Sequence, residues 1–167
     1  LLVTCETQTQ GHGRNQNKWD PLPNSLYMSF ILQSNPQVTW TAIELSVILS
    51  DYFLEKFGEE LKLKWPNDIY DSAGKKCCGI LIQQSSGKHI AGIGINLLSS
   101  NEWGGIFHRI PTNISKREWC ADIYQYIQQR RINDSLIVKD KFLKRCAHLN
   151  KFVTITEGEE KHSGIDQ

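Results

Sequence analysis

The chain has 167 residues, 40% hydrophobic and 22% charged, with a formal net charge of +1. That length suits one domain, or one domain and part of another, with a sizeable core. The near-neutral balance gives no electrostatic reason to expect nucleic acid or an anionic membrane as partner, and no apolar run has the length of a membrane span.

Leu1 to Thr7 reads as a strand. From Gln8 to Asn24 the sequence is polar and aperiodic, with Gly11, Gly13, Pro21 and Pro23, and a loop of that length in a compact domain is usually functional or disordered. Leu26, Met28, Phe30 and Leu32 alternate with Tyr27, Ser29 and Ile31, the pattern of a strand buried mainly on one face. Helical spacing then runs through Trp40, Ile43, Val47 and Leu54 to a natural stop at Gly58. Leu61, Leu63 and Trp65 alternate with lysines in a strand that Pro66 ends. Beyond a turn at Ser72-Ala73-Gly74, strands over 78–84 and 89–97 are joined by a hairpin turn at Ser85-Ser86-Gly87.

The C-terminal third reads as helical. Ser115 and Glu118 form a capping box ahead of Trp119, Ile123, Tyr126 and Ile127. Asp134 caps a second helix carrying Leu136, Ile137, Phe142, Leu143 and Cys146, and Phe152 to Thr156 begins a further strand. Strands with one inserted helix, then helices, then a small β unit make an α+β chain rather than a βαβ array. The five cysteines (Cys5, Cys77, Cys78, Cys120, Cys146) form neither a CxxC pair nor an evenly spaced framework, so reduced thiols are expected. The triplets Asn113-Ile114-Ser115 and Asn133-Asp134-Ser135 are better explained as helix caps than as glycosylation sites.

Three segments are rich in charged or amide side chains, and two of them also carry glycine. Gly11-His12-Gly13-Arg14-Asn15-Gln16-Asn17-Lys18-Trp19 offers backbone N–H groups for an anion, two cations and a flat indole face. It is neither a Walker loop nor a Rossmann fingerprint. Lys64-Trp65-Pro66-Asn67-Asp68 places an amide and a carboxylate beyond the end of a strand. Gly74-Lys75-Lys76-Cys77-Cys78-Gly79-Ile80-Leu81 sets Lys76 just ahead of an apolar strand. Taken singly, each also reads as something plainer: a solvated basic loop, an Asn-Asp turn, a surface lysine. A fourth segment, Gly92-Ile93-Gly94-Ile95-Asn96-Leu97, has two glycines in a core-like strand, so something is expected to pack on its backbone.

In this order and spacing the segments resemble the biotin–protein ligase family, which includes the holocarboxylase synthetases. The resemblance is sharpest from Leu1 to Leu97, and within it at Lys64–Asp68 followed by Lys76 and Gly79-Ile80-Leu81. It implies a mixed β-sheet packed with helices, related to class II aminoacyl-tRNA synthetases, over residues 1–149. Residues 150–167 would begin an SH3-like β domain. It implies ATP with Mg²⁺ as cofactors, biotin as substrate, and a carboxylase's biotin-accepting domain as protein partner, with a homodimer as a further expectation. The location implied is cytoplasmic, or an organelle should a targeting segment precede Leu1.

Residue by residue, the resemblance assigns Gln8, Gly11, His12, Arg14, Lys76, Gly79, Ile80 and Gly92 to biotin. It assigns Lys18, Trp19, Asn67, Asp68 and Asn96 to the nucleotide, and Lys76, Arg14 and Asp68 to catalysis, with Asp68 also toward Mg²⁺. The chain departs from the family at His12, where many members have arginine, and at Asn15-Gln16, where many have Arg-Gly. Phosphate binding would then rest more on Arg14. A Ser/Thr-Thr-Asn motif that holds biotin's ureido ring would lie upstream of Leu1, so the chain reads as a fragment. The rivals are a lipoate–protein ligase, whose Arg-Arg-x-x-Gly-Gly-Gly loop is absent, and a non-catalytic regulator that binds biotinyl-adenylate.

Overall fold

The computed structural model describes residues 1–111, 114–157 and 160–165. In chain order the strands are β1 (Leu2–Cys5), β2 (Gly11–His12), β3 (Lys18–Trp19), β4 (Ser25–Leu32), β5 (Lys62–Lys64), β6 (Asp68–Tyr70), β7 (Lys76–Ser85), β8 (Lys88–Asn96), β9 (Phe152–Glu157) and β10 (Glu160–Ile165). The helices are α1 (Thr41–Phe57), α2 (Lys116–Gln129) and α3 (Ser135–Leu143). Six strands form one sheet in the order β1-β4-β8-β7-β6-β5, antiparallel at every strand pair, while among the described residues β2 pairs with β3 and β9 with β10, each as a separate two-stranded sheet. The architecture is α+β, as the order of elements predicts.

Alternation in the sequence decides which face of the sheet is core. Antiparallel register sets Leu26, Ile95 and Cys78 in one row and Met28, Ile93 and Ile80 in the next, and all six are buried. The helices lie on this face, with Leu45, Ile48, Leu49, Tyr52 and Phe53 of α1 inaccessible to solvent and α1 packed against β5, β6, β7, α2 and α3. Each buried Leu or Ile contributes about 1.5–3 kcal/mol. A one-residue slip would turn the whole row to the other face, so register is strongly determined.

The ends of elements follow local chemistry. Gly58 adopts φ 74° and closes α1, its N–H donating to the Leu54 carbonyl and that of Glu59 to Phe53. Ser86 (φ 49°) and Gly87 (φ 73°) make the two-residue turn between β7 and β8, whose twist matches the flanking strands. The Ser115–Glu118 capping box opens α2, and Asp134 caps α3 through the Leu136 N–H at 2.8 Å. Of the two sequence triplets, Asn113 falls outside the described residues. All five cysteines are free, and no helix among the described residues is long and apolar enough to cross a membrane.

Several elements differ from expectation. β7 begins at Lys76, so that lysine stands in the strand and not ahead of it, and β5 stops at Lys64, leaving Trp65 exposed beyond it. Asp68 opens a strand, β6, rather than projecting beyond one, because three residues are too few to show alternation. The aperiodic 8–24 segment is also partly ordered: β2 and β3 pair through Gly11–Trp19 and His12–Lys18.

A buried ionic network fastens the helical layer. Glu44 on α1 is fully buried and accepts from Arg131 (Nε 2.7 Å, Nη2 3.0 Å), from the Ile132 N–H (2.7 Å) and from Asn35. Removing the arginine strands a buried carboxylate. Arg131→Ala should therefore destabilise the fold by about 3–5 kcal/mol, read by urea denaturation. Burial also raises the thiol pKa of Cys77 and Cys78, and pushes Cys120 up to about 11, whereas Cys5 is exposed. Iodoacetamide at pH 8 should label Cys5 while sparing Cys77, Cys78 and Cys120 until denaturant is added, with mass spectrometry as the readout.

Candidate functional site

The sheet face opposite the helices carries the cleft, and the register explains its shape. One row across the sheet reads Cys5, Tyr27, Gly94, Gly79 and Asp68; the next reads Val3, Ser29, Gly92 and Leu81. Three of these nine positions are glycine, so the middle of the sheet is bare backbone flanked by side chains. All nine line a cleft of about 500 Å³, together with Gln8, His12, Gly13, Arg14, Lys18, Trp19, Asn67 and Lys76.

Trp19 fills the bare patch. A methyl group on Gly94 would lie 2.6 Å from the indole ring and one on Gly79 2.7 Å, so the ring rests directly on the paired glycine backbones. This is the close approach that glycines in a core-like strand foreshadow. The indole Nε1 is buried without a hydrogen-bond partner, and Lys76 Nζ stands 5.4 Å from the ring centroid, within cation–π range.

The segment carrying Trp19 folds as a small hairpin. Beyond the β2–β3 pairs, the Gly13 N–H donates to Asn17 O (2.6 Å) and the Asn17 N–H to Arg14 O (3.1 Å), with Asn15 at φ 53° at the tip. Gly11, the first residue of β2, is buried within the hairpin, and a Cβ there would meet Trp19 O at 2.5 Å and Gln8 Oε1 at 2.8 Å. The hairpin presents Arg14 and Lys18 to the cleft. With Lys76 they set three basic side chains against one carboxylate, Asp68, among the lining residues.

Lys76 is held from two sides. Its ammonium pairs with Asp68 Oδ1 at 2.7 Å. Its backbone is fixed through the turn before it: Asp71 accepts from the Lys75 N–H (2.9 Å) and the Gly105 N–H (3.3 Å), and the Gly104 N–H donates to the Lys76 carbonyl (2.9 Å). Gly104 can approach so closely only without a side chain, since a Cβ would stand 2.5 Å from Asp71 Oδ2. Asn67 lines the cleft, but its Nδ2 is engaged with the Ile80 carbonyl at 2.8 Å, bracing β7.

Most residues singled out in the sequence therefore meet in one cleft. Asn96 does not line it: buried at 2% exposure, it accepts from Ser25 Oγ at 3.0 Å and fastens the end of β8 to β4. Gly11 does not line it either: it is a strand residue of the hairpin, opposite Trp19. Sequence reasoning did not single out Tyr27, Ser29, Val3 or Asp71 as site residues. The polar half of the β4 alternation signalled the first two.

Among the described residues no group of three or more His, Cys, Asp or Glu side chains is placed to hold a metal. One carboxylate, Asp68, is what an ion held mainly by nucleotide phosphates and water requires.

If Trp19 is seated by the glycine pair, Gly94→Ala should unseat the hairpin and speed tryptic cleavage after Arg14 and Lys18 several-fold. Gly92→Ala should leave it unchanged, because a Cβ there meets only ordinary contacts at 3.8 Å.

The family described as Biotin/lipoate A/B protein ligase matches residues 1–100. The Bifunctional ligase/repressor BirA of Bacillus subtilis is 34% identical over 128 residues, which are 69% of this chain and 38% of that protein. Biotin--protein ligase 2 of Arabidopsis thaliana is 29% identical over 134 residues, 70% of this chain and 40% of that protein. The chain thus spans about two fifths of the length of these curated relatives. The solved biotin protein ligase from Aquifex aeolicus, in complex with biotin and ATP, superposes with a TM-score of 0.72 at 26% identity, covering 98% of this chain and 75% of that one. The Leishmania major enzyme in complex with biotinyl-5-AMP gives 0.73 at 20% identity, covering 95% and 76%, and shows the same fold. With its family match spanning the sheet, the hairpin and Lys76, this chain belongs to the biotin/lipoate A/B protein ligase family.

Proposed function

We propose that the chain activates biotin with ATP as biotinyl-5'-AMP and passes the biotinyl group to a lysine on the biotin-accepting domain of a carboxylase. The observation that carries this reading is the site itself. A lysine fixed on the sheet stands beside a glycine-floored cleft, and a hairpin brings two more cations and an indole over it. The similarity to ligases solved with biotin and ATP supports the same reading.

In the first step a biotin carboxylate oxygen attacks the α-phosphorus of ATP, and the bond to the bridging oxygen breaks to release pyrophosphate. Both reactants are anions. Lys76, Arg14 and Lys18 would offset their repulsion and stabilise charge that develops in transfer. Gln8, His12 and Gly92 would shape the biotin side, with Gly79 and Ile80 contributing backbone only, since Trp19 covers Gly79 and the Ile80 side chain is buried in the core. Trp19, Lys18 and Asn67 would shape the nucleotide side. Mg²⁺ would neutralise phosphate charge in this cleft, with Asp68 as the carboxylate that helps hold it. The hairpin over the cleft would shield the anhydride from water. In the second step the acceptor amine attacks the acyl carbon, a C–N bond forms, and AMP leaves as the amine loses its proton. Asp68 is committed to Lys76 in the structure, so its first task is to aim that ammonium.

Residues 1–149 would form the catalytic unit, with 150–167 beginning a small β domain. The pairing of β9 with β10 alone, outside the main sheet, supports that division. Free cysteines suit a cytoplasmic setting.

Biotin-dependent ATP–pyrophosphate exchange tests the proposal, with lipoate as control because the family spans both substrates. Exchange with biotin alone is expected; exchange with lipoate alone would overturn the substrate. Binding of biotinyl-adenylate without exchange would favour a regulator. Lys76→Ala should cut exchange at least about a hundredfold with unfolding unchanged.

A further inference from the structure

The segment that covers the cleft leaves the sheet at the end of β1 and returns at the start of β4. These strands are neighbours, with Cys5 opposite Tyr27. Its return end is tied down locally: the Tyr27 hydroxyl accepts from the Leu22 N–H at 3.0 Å, and the Asn24 carbonyl accepts from the Leu97 N–H at 2.9 Å. A residue far along the chain reaches both ends. Lys116 Nζ donates to the Glu6 carbonyl at 3.0 Å and to the Pro23 carbonyl at 2.8 Å.

The placement of that lysine is informative. Lys116 is the first residue of α2, immediately after the N-cap Ser115. A cation in the first turn opposes the helix dipole, so local helix energetics disfavour it there. The capping box holds the turn rigidly, with the Glu118 N–H on Ser115 Oγ at 3.2 Å and the Ser115 N–H on Glu118 Oε2 at 3.0 Å. α2 packs on both β1 and β4. The ammonium is therefore carried on a fixed mount to the point where the two ends of the segment meet, and it donates to one carbonyl from each.

We propose that Lys116 is a positioning residue that clamps the two ends of the 7–22 segment, and so sets how firmly the hairpin stays closed over bound biotin and its adenylate. It touches neither ligand. The inference rests on the reaction proposed above for the effect on ligands; the clamp itself rests on the geometry alone. By shortening the span the segment must close, the clamp limits its open states and favours the arrangement that seats Trp19.

The test compares the full chain with Lys116→Met, which keeps the stem and loses the donors, and with Lys116→Arg, which keeps donors. In biotin-dependent ATP–pyrophosphate exchange, Lys116→Met should raise the half-saturating biotin concentration about tenfold, less than two buried charge-assisted hydrogen bonds would give because both lost bonds are exposed. The saturating rate should stay within about twofold, since the reacting groups are untouched. Biotinyl-adenylate should dissociate correspondingly faster, and Lys116→Arg should recover most of both. Independently of any ligand, amides 8–22 should exchange hydrogen faster in Lys116→Met at unchanged thermal stability. A loss confined to the saturating rate, or unchanged amide exchange, would overturn the clamp. A wild-type chain inactive with biotin would instead defeat the functional reading, and the clamp would then stand or fall on amide exchange alone.

Discussion

Gly79 and Gly94 stand opposite each other on β7 and β8, and the absence of two side chains there shapes the whole site. A sheet face away from the core would ordinarily be a carpet of side chains about one layer deep. Here the row is interrupted in the middle, and the indole of Trp19 reaches the backbone itself. The contact fixes the third dimension of the cleft. It sets the height of the hairpin above the sheet, and with it the position of Arg14 and Lys18 relative to Lys76. Any side chain at Gly94 would lift the ring, and the cations presented by the hairpin would rise with it.

The opposite face makes this economy affordable to the fold. Glycine in a strand interior weakens it through lost packing and chain entropy. The compensation is spatially separate: the rows of Leu26, Ile95 and Cys78 and of Met28, Ile93 and Ile80 bury apolar side chains under α1 at the same positions along the strands. Period-two alternation lets one strand supply a tightly packed face and a bare one. The Glu44–Arg131 network holds the helical layer in place without drawing any group toward the cleft.

What could be read from the sequence follows the same division. The alternation of β4, the Gly58 stop, the Ser115 capping box and the 86–87 turn were legible because each is decided by neighbours within a few residues. The glycines of 92–94 announced a close backbone approach, but not what approached. Trp19 lies some 75 residues away in sequence, and only the register of β7 against β8 brings the two glycines into one patch. Asn96 shows the reverse error: an amide at a strand end looks available to a ligand, yet burial and Ser25 claim it. Asp71 was invisible for a related reason. Its work is done on backbone N–H groups at residues 75 and 105, and nothing in its sequence neighbourhood marks a carboxylate as a brace.

The distribution of charge between sheet and hairpin has its own logic. A cation buried permanently in the floor would need an equally buried partner, and an unpaired one would cost several kcal/mol. The floor accordingly carries a single lysine, neutralised by Asp68 at 2.7 Å. The other two cations arrive on an exposed hairpin, where water solvates them until an anion takes its place. Fixing one charge on the sheet beside its carboxylate and carrying two on the hairpin keeps uncompensated cations out of the buried floor. The place of those two cations is set where the hairpin is held, and its segment is held at its ends as well as beneath Trp19.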